Sequence, residues 1–318
     1  MHDIRYKYSL GVTAIIRNEA LYLEEWLDYH IVAGVDIFYL FDDDSSDNTV
    51  DVLKPYIDEG IVELVQLGKQ PNTDFYNTQT LVYNLSLITH KYDVKYMAFI
   101  DIDEFILPYI GADIYSAVEV ILKDLPYACG IAINWRIFGS SGHIKHQESV
   151  LDNYLYRTRD CYGANGLVKS IVNPRLVLGW YKNPHLCSCV PGYYIVDENG
   201  KRITKVCGKN TFGKKIRINH YFCKSKEDWS KKMSRGLPDR PRDKYPRCDE
   251  EFDECSRDNI YDNDILLFIE EIVDGKKGRL NRKRINSKYV SVPQDIREYS
   301  PISILLKYDI ELLKKFFI

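Results

Sequence analysis

The stretch KYMAFIDIDEF, residues 95–105, decides how this chain is read. Lys95 to Ile100 is short, largely apolar and fits one buried strand, which delivers Asp101-Ile102-Asp103-Glu104-Phe105 at its carboxyl end. The same pattern repeats upstream. Leu10 to Ile16 reads as a buried strand and is followed by Arg17-Asn18-Glu19. Next comes an amphipathic stretch, Ala20 to Val32, with Leu23, Trp26, Leu27 and His30 on one stripe. Asp36 to Phe41 predicts a second strand, ending in Asp42-Asp43-Asp44, and Val50, Leu53 and Ile57 mark the helix after it. Ile61 to Leu67 predicts a third strand and Tyr76 to His90 a third helix. Strands alternating with helices imply a parallel α/β sheet with crossover connections. Ligands of such sheets bind beyond the carboxyl ends of the strands, which is where both acidic clusters fall.

The whole chain fits that reading. Its 318 residues suffice for a substantial core, and 45 % apolar with 28 % charged residues is a globular composition. A formal charge of −3 gives no global electrostatic case for nucleic acid. The first ten residues, MHDIRYKYSL, hold no apolar signal core, and no run of eighteen apolar residues occurs, so a cytoplasmic location is expected. Among eight cysteines, Cys187 and Cys189 form a C-x-C, and no paired C-x-x-C motif suits a zinc ribbon. Reduced, buried thiols are the expectation. The 25 tyrosines suit sugar platforms, although codon bias accounts for them equally well.

Two carboxylates one residue apart, Asp101 and Asp103, can both reach a hard divalent cation, and such a cation can bridge the two phosphates of a nucleotide sugar. Placement at a strand end raises the value of that motif, because a bare D-x-D also describes a solvated acidic turn. The stretch Asp42 to Thr49 fits D-D-x-S-x-D-x-T at a strand-to-helix junction. Asp42 and Asp43 are expected to bind a donor base or ribose, while Ser45, Asp47 and Thr49 are expected to shape the turn and start the helix.

Taken in order, these segments resemble glycosyltransferase family 92 and its bacterial relatives in the family 2-like group. The resemblance rests on Ile16-Arg17-Asn18-Glu19, Trp26-Leu27-x-Tyr29-His30, the turn at 42 to 49, and Phe99-Ile100-Asp101-x-Asp103-Glu104-Phe105. It continues through Trp135-x-x-Phe138-Gly139-Ser140-Ser141-Gly142-His143, Lys169-Ser170-Ile171-Val172, Asn219-His220-Tyr221, Lys224-Ser225 and Lys232-x-x-Arg235-Gly236. It implies the GT-A fold: a Rossmann-like, doubly wound mixed sheet over residues 1–225, with a charged segment and C-terminal helical extension over 226–318. It also implies an inverting hexosyltransferase with a nucleotide-sugar donor, UDP-linked galactose or glucose being favoured, and a glycan acceptor of cell-surface polysaccharide, lipopolysaccharide or glycoconjugate.

By the same resemblance, Asp101, Asp103 and His220 would hold Mn2+ or Mg2+, and a nitrogen ligand favours manganese. Arg17, Asn18, Glu19, Asp42, Asp43 and Ile102 would line the nucleotide pocket, with Lys169, Lys224 and Arg235 as phosphate contacts. Trp135, Phe138, Gly139, Ser140, Ser141 and His143 would form the acceptor wall. Core packing explains Trp135 as readily. Inversion requires a base for the acceptor hydroxyl, and Glu148, Asp152 and Asp160 are candidates. The run from Lys224 to Arg257 reads as a mobile or ligand-ordered segment. The tail from Pro301 to Ile318 carries Leu305, Leu306 and Phe317 at helical spacing and would either dock on the domain or make peripheral membrane contact. A nucleotidyl- or phosphotransferase would be expected to show a G-x-x-x-x-G-K-[ST] loop, which is missing from the sequence. A non-catalytic scaffold is disfavoured by the intact acidic pair and His220.

Overall fold

The computed structural model of the protein describes residues 6–67, 75–181, 183–206, 213–235, 248–257 and 260–273. Its first part alternates as the apolar periodicity implies: β1 (Tyr8–Ile16), α1 (Ala20–Val32), β2 (Ile37–Asp42), α2 (Thr49–Asp58), β3 (Val62–Gln66), α3 (Phe75–His90) and β4 (Val94–Phe99). These four strands pair in parallel in the order β3-β2-β1-β4. The chain therefore changes direction of build between β1 and β4, and a crevice opens at their carboxyl ends.

Beyond β4 the sheet becomes mixed. The next elements are β5 (Glu104–Pro108), α4 (Ile114–Leu122), β6 (Ala128–Ile137), α5 (Val150–Asn153), β7 (Tyr156–Arg157) and β8 (Val168–Val172). They are followed by β9 (Val177–Gly179), β10 (Ser188–Cys189), β11 (Tyr194–Val196) and β12 (Ile216–His220). Strand β8 lies antiparallel between β4 and β6, and β12 runs parallel to the end of β6 but antiparallel to β5. The full path, β3-β2-β1-β4-β8-β6-β12-β5, is the expected doubly wound mixed sheet. Strand β5 was not expected as a strand. Every one of its residues is buried, so it shows none of the polar alternation that marks a half-exposed strand.

Both faces of the sheet are covered. Along β2, Phe38 and Leu40 enter one core cluster, while Ile37, Tyr39 and Phe41 enter the other, the two-residue period of a strand buried on both sides. Each fully buried Leu or Phe contributes about 1.5–3 kcal/mol of transfer free energy.

Helix α1 is bound to β5 by polar side chains within that packing. Trp26 Nε1 donates to the Glu104 carbonyl at 2.8 Å, and the Tyr29 hydroxyl donates to the Ile106 carbonyl at 2.7 Å. His30 sits between them, with Nδ1 2.8 Å from the Trp26 carbonyl and Nε2 accepting from the Ile106 N–H at 3.3 Å. The Trp26-Leu27-x-Tyr29-His30 motif thus fixes the strand that leaves the Asp101–Asp103 turn.

The described residues of the charged C-terminal part hold more regular structure than its composition implied. It forms α6 (Lys226–Arg235), α7 (Asp249–Arg257), β13 (Ile260–Tyr261) and α8 (Asp264–Val273). Trp229, Phe252, Cys255, Ile265, Phe268 and Ile272 join the same core cluster as Leu23 and Trp26, so one core runs across the boundary drawn at residue 225. A few large anchors hold helices whose surfaces are almost wholly charged, and averaged hydropathy hides them. The tail from 301 to 318 lies outside the described residues. Among the described residues, no helix is long and apolar enough to cross a membrane.

Candidate active site

The turn after β4 is built by its own acidic residues. Glu104 opens β5 and folds back, so that its Oε2 accepts from the Asp101 N–H at 2.9 Å. The side chain is fully buried, and Oε1 has no hydrogen-bond partner among the described residues. Burial pushes the Glu104 carboxyl well above the usual carboxylate range, against the pull of the Lys169 ammonium 3.9 Å away. Lys169 itself, on β8, is buried. Desolvation works against its charge, but Asp101 and Glu104 outweigh that and raise its pKa.

Asp101 is clamped from both sides. Lys169 Nζ lies 2.9 Å from its Oδ2, and Gln79 Nε2 on α3 donates to its Oδ1 at 2.7 Å. Gln79 also reaches the Tyr83 hydroxyl, one helical turn further on, at 3.0 Å. Ile102 packs into the main core cluster, so its side chain fixes the turn rather than lining a pocket. Asp103 faces a different set of groups. Its Oδ1 is 3.3 Å from His220 Nε2 and its Oδ2 is 2.9 Å from Lys232 Nζ, while its backbone carbonyl accepts from the Tyr221 N–H at 2.8 Å. Burial opposes its charge, yet Lys232 and His220 hold the carboxyl well below its ordinary value.

His220 ends β12, directly across from Glu104 in the antiparallel register with β5. Burial lowers its pKa in spite of Asp103, which favours the neutral ring near pH 7. The ring meets Trp135 edge-on with centroids 4.4 Å apart, and Trp135 meets His185 at 5.3 Å. Neither His220 Nδ1 nor Trp135 Nε1 has a hydrogen-bond partner among the described residues. Buried polar atoms left in this state are costly to the fold.

The two N-terminal loops interlock at the other end of the crevice. Asn18, at φ +54°, accepts through Oδ1 from the N–H groups of Ser46 at 2.7 Å and Asp47 at 3.3 Å. The Asn18 N–H donates to Ser45 Oγ, Glu19 N–H to Thr49 Oγ1, and Ala20 N–H to Asp47 Oδ2. Asn18, Ser45, Asp47 and Thr49 therefore shape the pocket rim. Asp42 is buried and accepts from the Ser45 N–H at 3.2 Å. Asp43 pairs with Arg17 at 3.4 Å, and burial lifts its carboxyl above the ordinary value although Arg17 pulls the other way. Lys224, at φ +54° and largely buried, holds its Nζ 3.9 Å over the Tyr22 ring. Arg235 ends α6, and its side chain is outside the described set.

The expected acceptor wall divides. Trp135 lies in the site beside His220. Phe138 does not: it is fully buried and packs on Tyr221 with centroids 4.8 Å apart, so it offers no stacking face. Gly139 is small because α7 presses on it, since a Cβ there would lie 2.5 Å from the Cys255 carbonyl oxygen. Ser140 is buried and its N–H donates to Ser256 Oγ at 3.1 Å, while Ser141 Oγ accepts from the Tyr156 N–H at 3.1 Å. His143 sits 3.0 Å from the Asn153 carbonyl. This segment thus docks α7 and β7.

The base candidates also separate. Asp160 is bound by Arg157 at 2.8 Å and Arg136 at 3.6 Å. Arg136 neighbours Trp135 on β6 and so points to the opposite face of the sheet from His220, which removes Asp160 from the Asp103 side. Glu148 and Asp152 are exposed around the start of α5. A pairing passed over in the sequence lies nearby: His146 Nδ1 is 3.0 Å from Asp228 Oδ1, and Asp228 Oδ2 accepts from Ser225 Oγ at 2.6 Å. The His146 ring stands 5.7 Å from that of Tyr22, beneath Lys224.

The family model for glycosyltransferase family 92 matches residues 12–199, more than half of the chain, running from within β1 through the Asp101–Asp103 turn, Trp135 and β8. The chain belongs to glycosyltransferase family 92. A family 92 protein of rice (Oryza sativa subsp. japonica) is 26 % identical over 227 residues, covering 69 % of this chain and 34 % of the rice protein. The galactan β-1,4-galactosyltransferase GALS2 of Arabidopsis thaliana is 32 % identical over 106 residues, covering 32 % of this chain and 20 % of that protein. The chain thus spans about a third or less of the length of these curated relatives. Among solved structures it is similar to S. aureus TarS 1-349 in complex with UDP, at 15 % identity and a TM-score of 0.36, over 53 % of this chain and 47 % of that chain. That likeness is too loose to carry anything about the site.

Asp103 and His220 are the pair that would meet a divalent cation in this family 92 chain. Asp103 supplies an ionised carboxylate and His220 a neutral imidazole, 3.3 Å apart, a mixed oxygen and nitrogen pair suited to manganese more than magnesium. Asp101, clamped by Lys169 and Gln79, is the second carboxylate of the edge. Gln79 and Lys232 were missing from the expected site residues. No motif flags Gln79, whereas Lys232 sat within the quoted Lys232-x-x-Arg235-Gly236.

Proposed function

We propose that this family 92 chain is a metal-dependent, inverting hexosyltransferase. It carries a hexose from a nucleotide-diphosphate sugar, UDP-galactose or UDP-glucose, to a glycan acceptor in cell-surface polysaccharide or glycoconjugate synthesis. The observation behind this reading is the meeting of Asp103, His220 and Lys232 at one point of the crevice, beside Asp101. A divalent cation held by Asp103 and His220 would neutralise the charge that collects on the departing diphosphate. Lys232, now on Asp103 Oδ2, and Lys224 are the ammonium groups nearest to serve the phosphates. Arg17 with Asp43, and Asp42 behind them, form the nucleoside end of the pocket. The galactosyltransferase name of the Arabidopsis relative supports galactose as the sugar.

In the transfer, the acceptor oxygen bonds to the anomeric carbon as the bond from that carbon to the diphosphate breaks. The nucleoside diphosphate leaves, and the hydroxyl proton goes to a base. We assign that base to His146, whose Nδ1 is oriented by the buried Asp228, an arrangement that leaves Nε2 to accept a proton. The test is release of UDP from UDP-galactose with Mn2+ and a panel of β-galactan and lipid-linked acceptors. Acceptor-dependent release in the wild type, with kcat reduced 100-fold or more in His146→Gln, is expected. Inorganic pyrophosphate as the product would instead identify a nucleotidyltransferase. Full activity in His146→Gln with loss in Glu148→Gln or Asp152→Asn would move the base.

A further inference from the structure

Three cysteines converge far from the acidic edge. Cys187 stands just before the two-residue strand β10 and Cys189 ends it, on either side of Ser188. Both turn toward Cys129, fully buried at the start of β6. The three sulfurs all lie within 4.8 Å of one another, and Cys129 Sγ and Cys189 Sγ are 2.7 Å apart. Cys187 is buried, whereas Cys189 is partly open to solvent. Trp135 follows Cys129 by six residues on the same strand, so the cluster is about 20 Å along β6 from the catalytic edge.

We propose that Cys129, Cys187 and Cys189 form a structural site for a soft, thiolate-seeking cation of the zinc class. Thiolate sulfurs at about 2.3 Å from zinc stand about 3.8 Å apart in a tetrahedron, within the span these residues already occupy. Sulfur ligands select such ions over the hard cation suited to Asp103. The partly open Cys189 side leaves the fourth position to water. Binding releases the thiol protons to solvent.

The site would tie the start of β6 to the stretch from Cys187 to Cys189. The Cys129 carbonyl accepts from the Asn173 N–H at 2.7 Å, and the Val190 N–H reaches the Leu176 carbonyl at 3.0 Å. Just before Cys187, His185 is bonded to the Val168 carbonyl at 3.0 Å and packs against Trp135. A metal on the cysteines would therefore hold one end of the loop whose other end supports Trp135 and, through it, His220.

The experiment uses the full chain purified under reductant without chelator. Metal analysis is expected to find about one zinc per chain. Anaerobic cobalt loading is expected to give the near-ultraviolet thiolate-to-cobalt charge-transfer band. Cys187→Ser and Cys189→Ser should lose that band, while Cys161→Ser and Cys248→Ser, at exposed positions, and Asp103→Asn should keep it. Cobalt loading of the wild type decides the matter even if a cysteine variant fails to fold. A fully reduced wild type with no charge-transfer band overturns the proposal. So does a band that survives in Cys189→Ser, or a Cys129–Cys189 disulfide found by mass spectrometry in the purified chain.

Discussion

Replacing Lys169 by Met removes the only cation within 4 Å of Glu104 among the described residues. Glu104 is fully buried, and at 3.9 Å the attraction between the two charges is about 4 kcal/mol at an effective dielectric near 20. Breaking a buried pair from one side costs about 3–5 kcal/mol, the loss expected where Glu104 is ionised in the wild-type fold. The loss has a pH signature. Glu104 in the fold already titrates above its unfolded value, and without Lys169 it titrates higher still. A raised carboxyl contributes its full stability below the unfolded pKa, near 4.5, and loses it as pH rises toward the folded pKa. The variant's deficit should therefore be smallest near pH 5 and grow, by up to about 1.4 kcal/mol per pH unit, above the wild-type folded pKa, where only the variant still binds the proton. Urea unfolding at pH 5, 6.5 and 7.5 measures it, and Lys169→Met/Glu104→Gln should recover most of the loss. A deficit under about 1 kcal/mol, or one independent of pH, would refute the buried pair as the support of the turn.

Three further outcomes follow from the geometry. His30 is fully buried with both ring nitrogens engaged, and burial lowers its pKa to about 3. It must fold neutral, so stability is full above about pH 6.5 and falls with acidification by about 2 kcal/mol at pH 5, a slope that His30→Gln should remove in pH-dependent unfolding. Glu25 on α1 accepts from Ser149 Oγ and from the N–H groups of Val150 and Leu151, capping α5 from outside, so Glu25→Ala should lose about 1–2 kcal/mol in thermal unfolding. Lys232→Met should leave folding intact and lower kcat/KM for the donor by 100- to 1,000-fold, and an effect under threefold would place the diphosphate elsewhere.

How much was legible in the sequence follows the strength of each local signal. The elements from β1 to β4 were readable because each couples a clear apolar period to a polar turn. The acidic pair was readable because it follows such a strand. Strand β5 escaped because it is buried on both faces and shows no alternation, and α6 and α7 escaped because single anchors such as Trp229 and Phe252 are outnumbered by charges. In the site, Asp103 and His220 do meet, although 117 positions apart, a pairing that the family resemblance implied and that spacing alone does not encode. Phe138 and Gly139 were misread as substrate-facing because an apolar residue beside glycine looks the same whether it meets a sugar or a helix. Here the neighbour is α7. Gln79 and Asp228 were invisible for a similar reason: each acts through a partner brought in from another element.

The most direct test of the central claim is calorimetric binding of UDP and GDP, each with and without Mn2+, to the wild type and to Asp103→Asn. The account predicts manganese-dependent UDP binding in the wild type, lost in Asp103→Asn while the fold, followed by circular dichroism, is retained. Binding of neither nucleotide in any condition, or UDP binding indifferent to both manganese and the substitution, would contradict it.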